Sequence, residues 1–150
     1  MRRNVWWACA LVLLAAAGCG GSDAKPVTQA DMEQTSLNDV AELYRVYQIS
    51  KNKPPEKVAD LASSEQIAPI GMNAIRTGDV IVRLGATLPD TGEAPGKGPD
   101  EVLAYQKQVP ESGGKVLMLD RTIKTMTADE FKAAKLAGTS SSEKAPAKKK

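Results

Sequence analysis

Gly113-Gly114-Lys115-Val116-Leu117-Met118-Leu119-Asp120-Arg121-Thr122-Ile123-Lys124-Thr125-Met126-Thr127-Ala128-Asp129-Glu130-Phe131 is the stretch that decides the fold. Lys115 to Leu119 and Thr122 to Met126 are β-prone runs, and Asp120-Arg121 between them has the length of a tight hairpin turn. Arginine is an unfavourable residue at the second turn position if that position needs positive φ, because its Cβ crowds the backbone there. Thr127-Ala128-Asp129-Glu130 then spells a capping box: the Thr127 hydroxyl serves the start of a helix, and Glu130 returns a bond to Thr127. Met126 and Phe131 stand where a hydrophobic staple needs them. Strand, turn, strand and helix in one run predict an α+β domain.

Working outward, Asp79 to Ala86 alternates Val80, Val82 and Leu84 against Ile81 and Arg83, between Gly78 and Gly85, and reads as a strand. Glu101 to Val109 reads as another, separated from the hairpin by Pro110-Glu111-Ser112-Gly113-Gly114. Thr87 to Asp100 is rich in proline and glycine without periodicity, which predicts a surface loop. Upstream, Leu37, Val40, Ala41, Tyr44 and Tyr47 recur at helical spacing over Leu37 to Ile49. Ser36 with Asp39 offers a capped start, and Thr28 with Asp31 offers the same spacing earlier. Lys53-Pro54-Pro55 ends that helix, and a second short one starting at Pro55 carries Val58 and Leu61 on one face. The expected fold is an N-terminal amphipathic helix packed on a small three- to four-stranded antiparallel sheet, with a short C-terminal helix. The expected boundaries are a globular domain over 36–138 and, over 139–150, a disordered tail of Ser, Ala, Pro and Lys.

The first residues read differently. Met1 to Asn4 is a short basic start, Val5 to Ala17 is apolar throughout, and Ala16-Ala17-Gly18 puts small residues directly before Cys19. That is the layout of a secretory signal over 1–18. An apolar run of about 13 residues makes about 20 Å of helix, short of a hydrocarbon core of roughly 30 Å, so cleavage is favoured over a permanent span. Ala16-Ala17-Gly18-Cys19 resembles the lipobox of bacterial lipoproteins, with alanine where leucine is usual at the first position. The resemblance implies cleavage between Gly18 and Cys19, lipidation of Cys19 and anchorage in a bilayer. Gly20 in place of aspartate then permits transfer to the outer membrane, the outer leaflet of the cytoplasmic membrane being the other address. Residues 19–35 would be the lipidated cysteine and a tether, opened by Gly20-Gly21-Ser22-Asp23-Ala24-Lys25-Pro26. Arg2-Arg3 lacks the flanking residues of a twin-arginine signal.

Charge and cysteine usage bound the function. Setting aside Arg2 and Arg3 leaves 18 basic and 18 acidic residues, and setting aside the segment from Thr139 leaves an acidic body, which argues against a nucleic-acid face. Histidine is absent, and the two cysteines, Cys9 and Cys19, both lie in the export segment or at the lipid site. The mature domain therefore offers no disulfide, no imidazole or thiolate for zinc, and no Ser-His or Cys-His nucleophile. No cofactor is implied.

With the strands placed, Val102-Leu103-Ala104-Tyr105-Gln106, Gly113-Gly114-Lys115-Val116-Leu117-Met118-Leu119-Asp120, Ile123 and Met126-Thr127-Ala128-Asp129-Glu130-Phe131 resemble the closing segment of pseudopilin-like domains of the type II secretion, G-type kind. The resemblance covers roughly Leu37 to Lys132 and implies a helix followed by a three- or four-stranded antiparallel sheet. Arg121 stands where that family has glycine after the aspartate, and a lipobox stands where it has a long apolar stalk helix. Assembly through a pilin stalk is therefore not expected.

Several side chains invite functional readings. Asp120 with Asp100, Glu101 or Asp90 offers oxygen ligands for calcium, although no twelve-residue calcium loop is present. Asp129-Glu130 suggests a glycosidase carboxylate pair, but neighbours on a helix diverge and capping already explains both. Tyr44, Tyr47 and Tyr105 suggest an exposed strip, against the commoner half-buried placement of tyrosine. The Lys148-Lys149-Lys150 end suits anionic headgroups or polymers, or solubility alone. The loop, with Thr87, Asp90, Glu93, Lys97 and Asp100, is the interaction candidate, since irregular loops on rigid scaffolds commonly carry recognition. The leading expectation is a non-enzymatic envelope lipoprotein that contacts the bilayer through Cys19 and a protein partner through its head. A carboxylate-dependent hydrolase of cell-wall or sugar substrates, and a small-ligand or calcium-binding module, are the alternatives.

Overall fold

The first helix begins well before its apolar stripe. In a computed structural model describing residues 26–141, α1 runs Gln29–Lys51 and is capped by Thr28. The Thr28 hydroxyl accepts from the Asp31 N–H at 3.2 Å, and Asp31 accepts from the Thr28 N–H at 2.9 Å. That reciprocal pair satisfies donors that open every helix, so the turn forms there rather than at Ser36. Ser36 lies buried inside α1, its hydroxyl donating back to the Glu33 carbonyl at 2.8 Å. The expected tether is accordingly shorter, with 29–35 helical. At the other end Asn52 takes the left-handed conformation, φ 53°, and Lys53-Pro54-Pro55 follows. The proposed signal, Gly18, Cys19 and Lys148 to Lys150 lie outside the described residues.

Three further helical pieces differ from expectation. α2 spans Val58–Leu61, starting after Pro55 rather than on it, and a 3-10 turn over Ala62–Ser64 continues it. α3, Pro69–Thr77, was not expected at all. Its signals are present: proline at the start, Gly78 at the end with φ 78°, and Met72 with Ile75 on one buried face. Gly71 lets α3 approach α1, since a Cβ there would meet the Asp39 Cβ at 2.5 Å and the Val40 nitrogen at 2.8 Å. The third piece, α4 over Val109–Ser112, takes the end of the expected Glu101 to Val109 strand.

The strands are β1 Val80–Leu84, β2 Glu101–Gln106, β3 Gly114–Met118 and β4 Ile123–Met126. They pair antiparallel in the order β4-β3-β2-β1. α5, Ala128–Ala133, opens on the Thr127/Glu130 capping box. Two more strands follow it. β5, Lys135–Leu136, pairs parallel with β2, and β6, Thr139–Ser140, pairs antiparallel with β1. The sheet thus has six strands rather than three or four, and the expected boundary at Gly138 falls inside paired chain. Two-residue strands leave no periodicity to read; β6 forms on the edge of β1, and β5 pairs with Glu101 and Val102, the part of β2 that β1 does not reach. Between them Gly138, at φ 44°, passes so close to the Leu84 carbonyl that a Cβ would sit 1.9 Å from its oxygen.

Both faces of the sheet are covered. Leu37, Val40, Leu43 and Tyr44 of α1 pack with Met72 of α3 and with Val80, Val82, Leu103 and Leu117. Phe131 of α5 packs on the other face with Val102, Val116 and Met118, and Met126 leans on it as the staple predicts. A register shift between Val102 and Ala104 marks a bulge, which places Leu103 and Ala104 in the same cluster despite their adjacency.

Candidate interaction site

The loop after β1 is irregular but anchored. Thr87 to Asp100 contains no helix or strand, as its composition predicts. Its entry is fixed by Tyr44, whose hydroxyl donates to the Ala86 carbonyl at 2.9 Å and accepts from the Ala86 N–H at 3.1 Å. One helical turn on, the Gln48 amide repeats the arrangement: it donates to the Leu88 carbonyl at 3.1 Å and accepts from the Leu88 N–H at 2.9 Å. Ala86 and Leu88 are buried, so without these partners their backbone groups would be costly.

Two arginines hold the outer part. Arg45 donates to the Thr91 carbonyl at 3.2 Å while a fork to Glu42, at 2.8 and 2.6 Å, aims its guanidinium. Arg121 donates to the Ala94 carbonyl from a buried position in the β3–β4 turn. Arg121 has φ 69°, the left-handed conformation unfavourable for any residue with a Cβ, and its side chain makes the hydrogen bond into the loop. Within the loop, Asp90 accepts from the Gly92 N–H at 2.8 Å, and Gly96 folds back so closely that a Cβ would lie 2.6 Å from the Asp90 carboxylate. Lys124 closes the far end on Asp100 at 2.7 Å. Thr87, Asp90, Glu93, Lys97 and Asp100 all remain exposed on this fastened backbone.

Electrostatics follow the same contacts. The Arg45 hydrogen bonds hold the Glu42 carboxyl below the usual glutamate range, against the opposing effect of its burial, and Glu42 in turn raises Arg45. Burial pushes the Tyr44 phenol far above its ordinary value, only partly offset by its bond to Ala86. The Asp100 hydrogen bond raises Lys124.

The other groupings that the sequence suggests are not assembled. Asp100 pairs with Lys124, Glu101 with Lys135 at 2.5 Å, and Asp120 accepts from the Thr122 N–H at 2.9 Å and hydroxyl at 2.6 Å. Among the described residues no three acidic, histidine or cysteine side chains gather around a possible metal position. Glu130 caps α5, accepting from Thr127 N–H at 2.7 Å, while Asp129 faces Lys132. The tyrosines form no strip: Tyr44 and Tyr47 are buried on the core face of α1, whereas Tyr105 meets Phe131 on the other face of the sheet, their tilted rings 4.6 Å apart between centroids. Arg45, Gln48 and Arg121, which support the loop, were not singled out as site residues. Tyr44 and Gln48, four residues apart, share one helical face, and that spacing was a usable signal.

These features define an α+β domain presenting an anchored irregular loop, and no helix among the described residues is long and apolar enough to cross a membrane. No protein-family model, no curated protein and no solved structure matches the chain.

Proposed function

We propose that the chain is an envelope lipoprotein, anchored in a bilayer by acylated Cys19, whose head is a non-enzymatic protein-interaction module. The observation that carries the interaction reading is the loop Thr87 to Asp100. Its backbone is held by Tyr44, Arg45, Gln48, Arg121 and Lys124 while its charged side chains face solvent. A backbone fixed before binding loses little conformational entropy on docking, which is what a recognition surface requires. Support for anchorage is the small-residue run before Cys19. From Cys19 to Thr28 the extended chain reaches at most about 35 Å, so the head would work close to the membrane. A secretion-related role extends this reading from the pseudopilin-like resemblance of Val102 to Phe131.

Two measurements test it. Metabolic labelling with radioactive palmitate is expected to mark the protein and to be lost in Cys19→Ala; labelling of that variant, or none of the wild type, removes the anchor. Crosslinking in the native envelope, with an affinity tag placed after Ser141 to spare β6, is expected to recover a stoichiometric partner that disappears when 91–98 is shortened. Recovery of abundant porins alone removes the interaction module.

A further inference from the structure

Six large apolar side chains are exposed among the described residues, and four of them, Val27, Met32, Ile67 and Ile70, belong to the starts of α1 and α3. Val27 and Met32 flank the Thr28 cap at the two positions that a hydrophobic staple joins, yet they remain 72% and 47% exposed. Met32 and Ile70 line one groove of about 290 Å³ between α1 and α3. Ile70 is 40% exposed, and Pro69 and Ile67 continue the apolar surface from it. Ala68 between them is buried, so this segment turns its small side chain inward and its larger ones outward. Apolar surface that passes from one element to the next without being covered marks a contact with something outside the fold.

The position of this surface chooses what covers it. The chain that leads back to Cys19 leaves the head beside Val27. From Cys19 to Pro26 its extended length is at most about 25 Å, whereas α1 alone is about 35 Å long. A tether shorter than the first helix keeps the start of α1 next to whatever holds Cys19. Charge selects the kind of surface. Glu33 and Asp79 line the groove and no lysine or arginine does, so a net-anionic lipid layer finds no attraction there and a zwitterionic one meets no repulsion.

We propose, resting on the lipid anchor at Cys19, that the face formed by Val27, Met32, Ile67 and Ile70 lies on the zwitterionic phospholipid surface that holds the acyl chains. Its apolar side chains enter the headgroup boundary and give the head one orientation on the bilayer. The loop Thr87 to Asp100 is fastened by Tyr44, Arg45 and Gln48, toward the other end of α1, and stays free for a protein.

The test uses the full acylated chain, in which Cys19 is the only cysteine once the segment before it is removed. Met32→Cys, Ile70→Cys and, on the other face of the sheet, Lys132→Cys each receive a bimane label. The proteins are reconstituted into phosphatidylcholine vesicles carrying a doxyl-labelled lipid, and flotation reports anchorage separately from quenching. The labels at 32 and 70 are expected to lose about half of their emission or more, and the label at 132 little. Adding Val27→Gln and Ile67→Gln is expected to restore emission at 32, and replacing part of the lipid with phosphatidylglycerol is expected to do the same. Chains that float with the vesicles but show equal quenching at all three positions overturn the proposal and leave the anchor standing. Chains that do not float overturn the anchor and the proposal with it. Stronger quenching on phosphatidylglycerol overturns the choice of a zwitterionic surface. Shielding of the labels in the native envelope but not on vesicles overturns the proposal too, because the occupant is then a protein. Wild type supplies a reading without substitutions in this face: amide exchange over 27–33 and 67–70 is expected to be slower on vesicles than in the soluble Cys19→Ala chain. Equal exchange there overturns the proposal even if a labelled variant does not fold.

Discussion

The two ends of α1 treat polar groups in opposite ways. Toward the C-terminal end, Tyr44, Arg45 and Gln48 spend their hydrogen bonds on the backbone of the following loop, and the buried Ala86 and Leu88 groups are all answered. Near the N-terminal end, Glu33 faces a groove with Asp79 and the Nε2 of Gln106 has no partner. The difference teaches what each end is stable for. The loop end uses its side chains to hold a shape, at the cost of one buried unpaired donor, the Arg121 Nε; the groove end fastens no loop and carries another, the Gln106 Nε2.

The largest effect that bears on this contrast is expected at Gly138, which clasps the end of β1 just before the loop. Gly138→Ala forces a Cβ against the Leu84 carbonyl at positive φ, and should cost about 3 kcal/mol or more in urea unfolding. Hydrogen exchange is expected to rise at the loop end and much less around the groove. Uniform loosening would mean the two ends are one cooperative unit.

Next in size is Tyr44→Phe, which strands the Ala86 N–H and carbonyl and should cost about 1–3 kcal/mol. Its pH dependence is specific. Burial raises the folded-state pKa of Tyr44 above its ordinary 10.0, so the folded chain holds the phenolic proton more tightly than the unfolded one. The associated stability is complete below pH 10.0 and declines as pH rises toward the folded value, by at most about 1.4 kcal/mol per pH unit. The advantage of wild type over the phenylalanine variant should therefore shrink in alkali. A constant difference would show that Tyr44 ionises without unfolding.

At the groove end, Thr28→Ala removes the α1 cap and should cost about 1 kcal/mol in thermal or urea unfolding. The Thr28 hydroxyl, followed by its N–H, holds Asp31 below its ordinary 3.8, so this stabilisation is present above that pH and fades as acid protonates the carboxylate. The cost of the substitution should fall with it. The smallest global effect is expected for Arg121→Gly. Relief of the positive φ and loss of the Ala94 bond oppose one another, leaving overall stability within about 1 kcal/mol. Amide exchange across 91–98 should nevertheless quicken. Unchanged exchange there would show that Arg45 and Asp90 suffice to hold the loop.

The hairpin, the capping box before α5, β1 and the irregular loop were legible because each rests on neighbours in sequence: alternation, a three-residue capping spacing, a density of proline and glycine. Even the earlier start of α1 was present in Thr28 and Asp31. α3 was not recognised because Gly71 interrupts a short helix, and glycine is unfavourable in a helix unless something must come close. Here α1 comes close, and no local pattern announces that.

The sequence by itself determined an α+β domain, its caps, its four longer strands and the position of its loop, since those follow from backbone preference and side-chain periodicity over a few residues. Tertiary structure alone decided the rest. β5 and β6 are two-residue strands that depend on edges contributed by residues more than thirty positions away. The burial of Tyr44, the aim of Arg121 into the loop and the meeting of Glu33, Asp79 and Gln106 at one groove likewise require distant segments to pack. Such meetings are fixed by which apolar faces close on one another, and that choice is made by the whole chain at once.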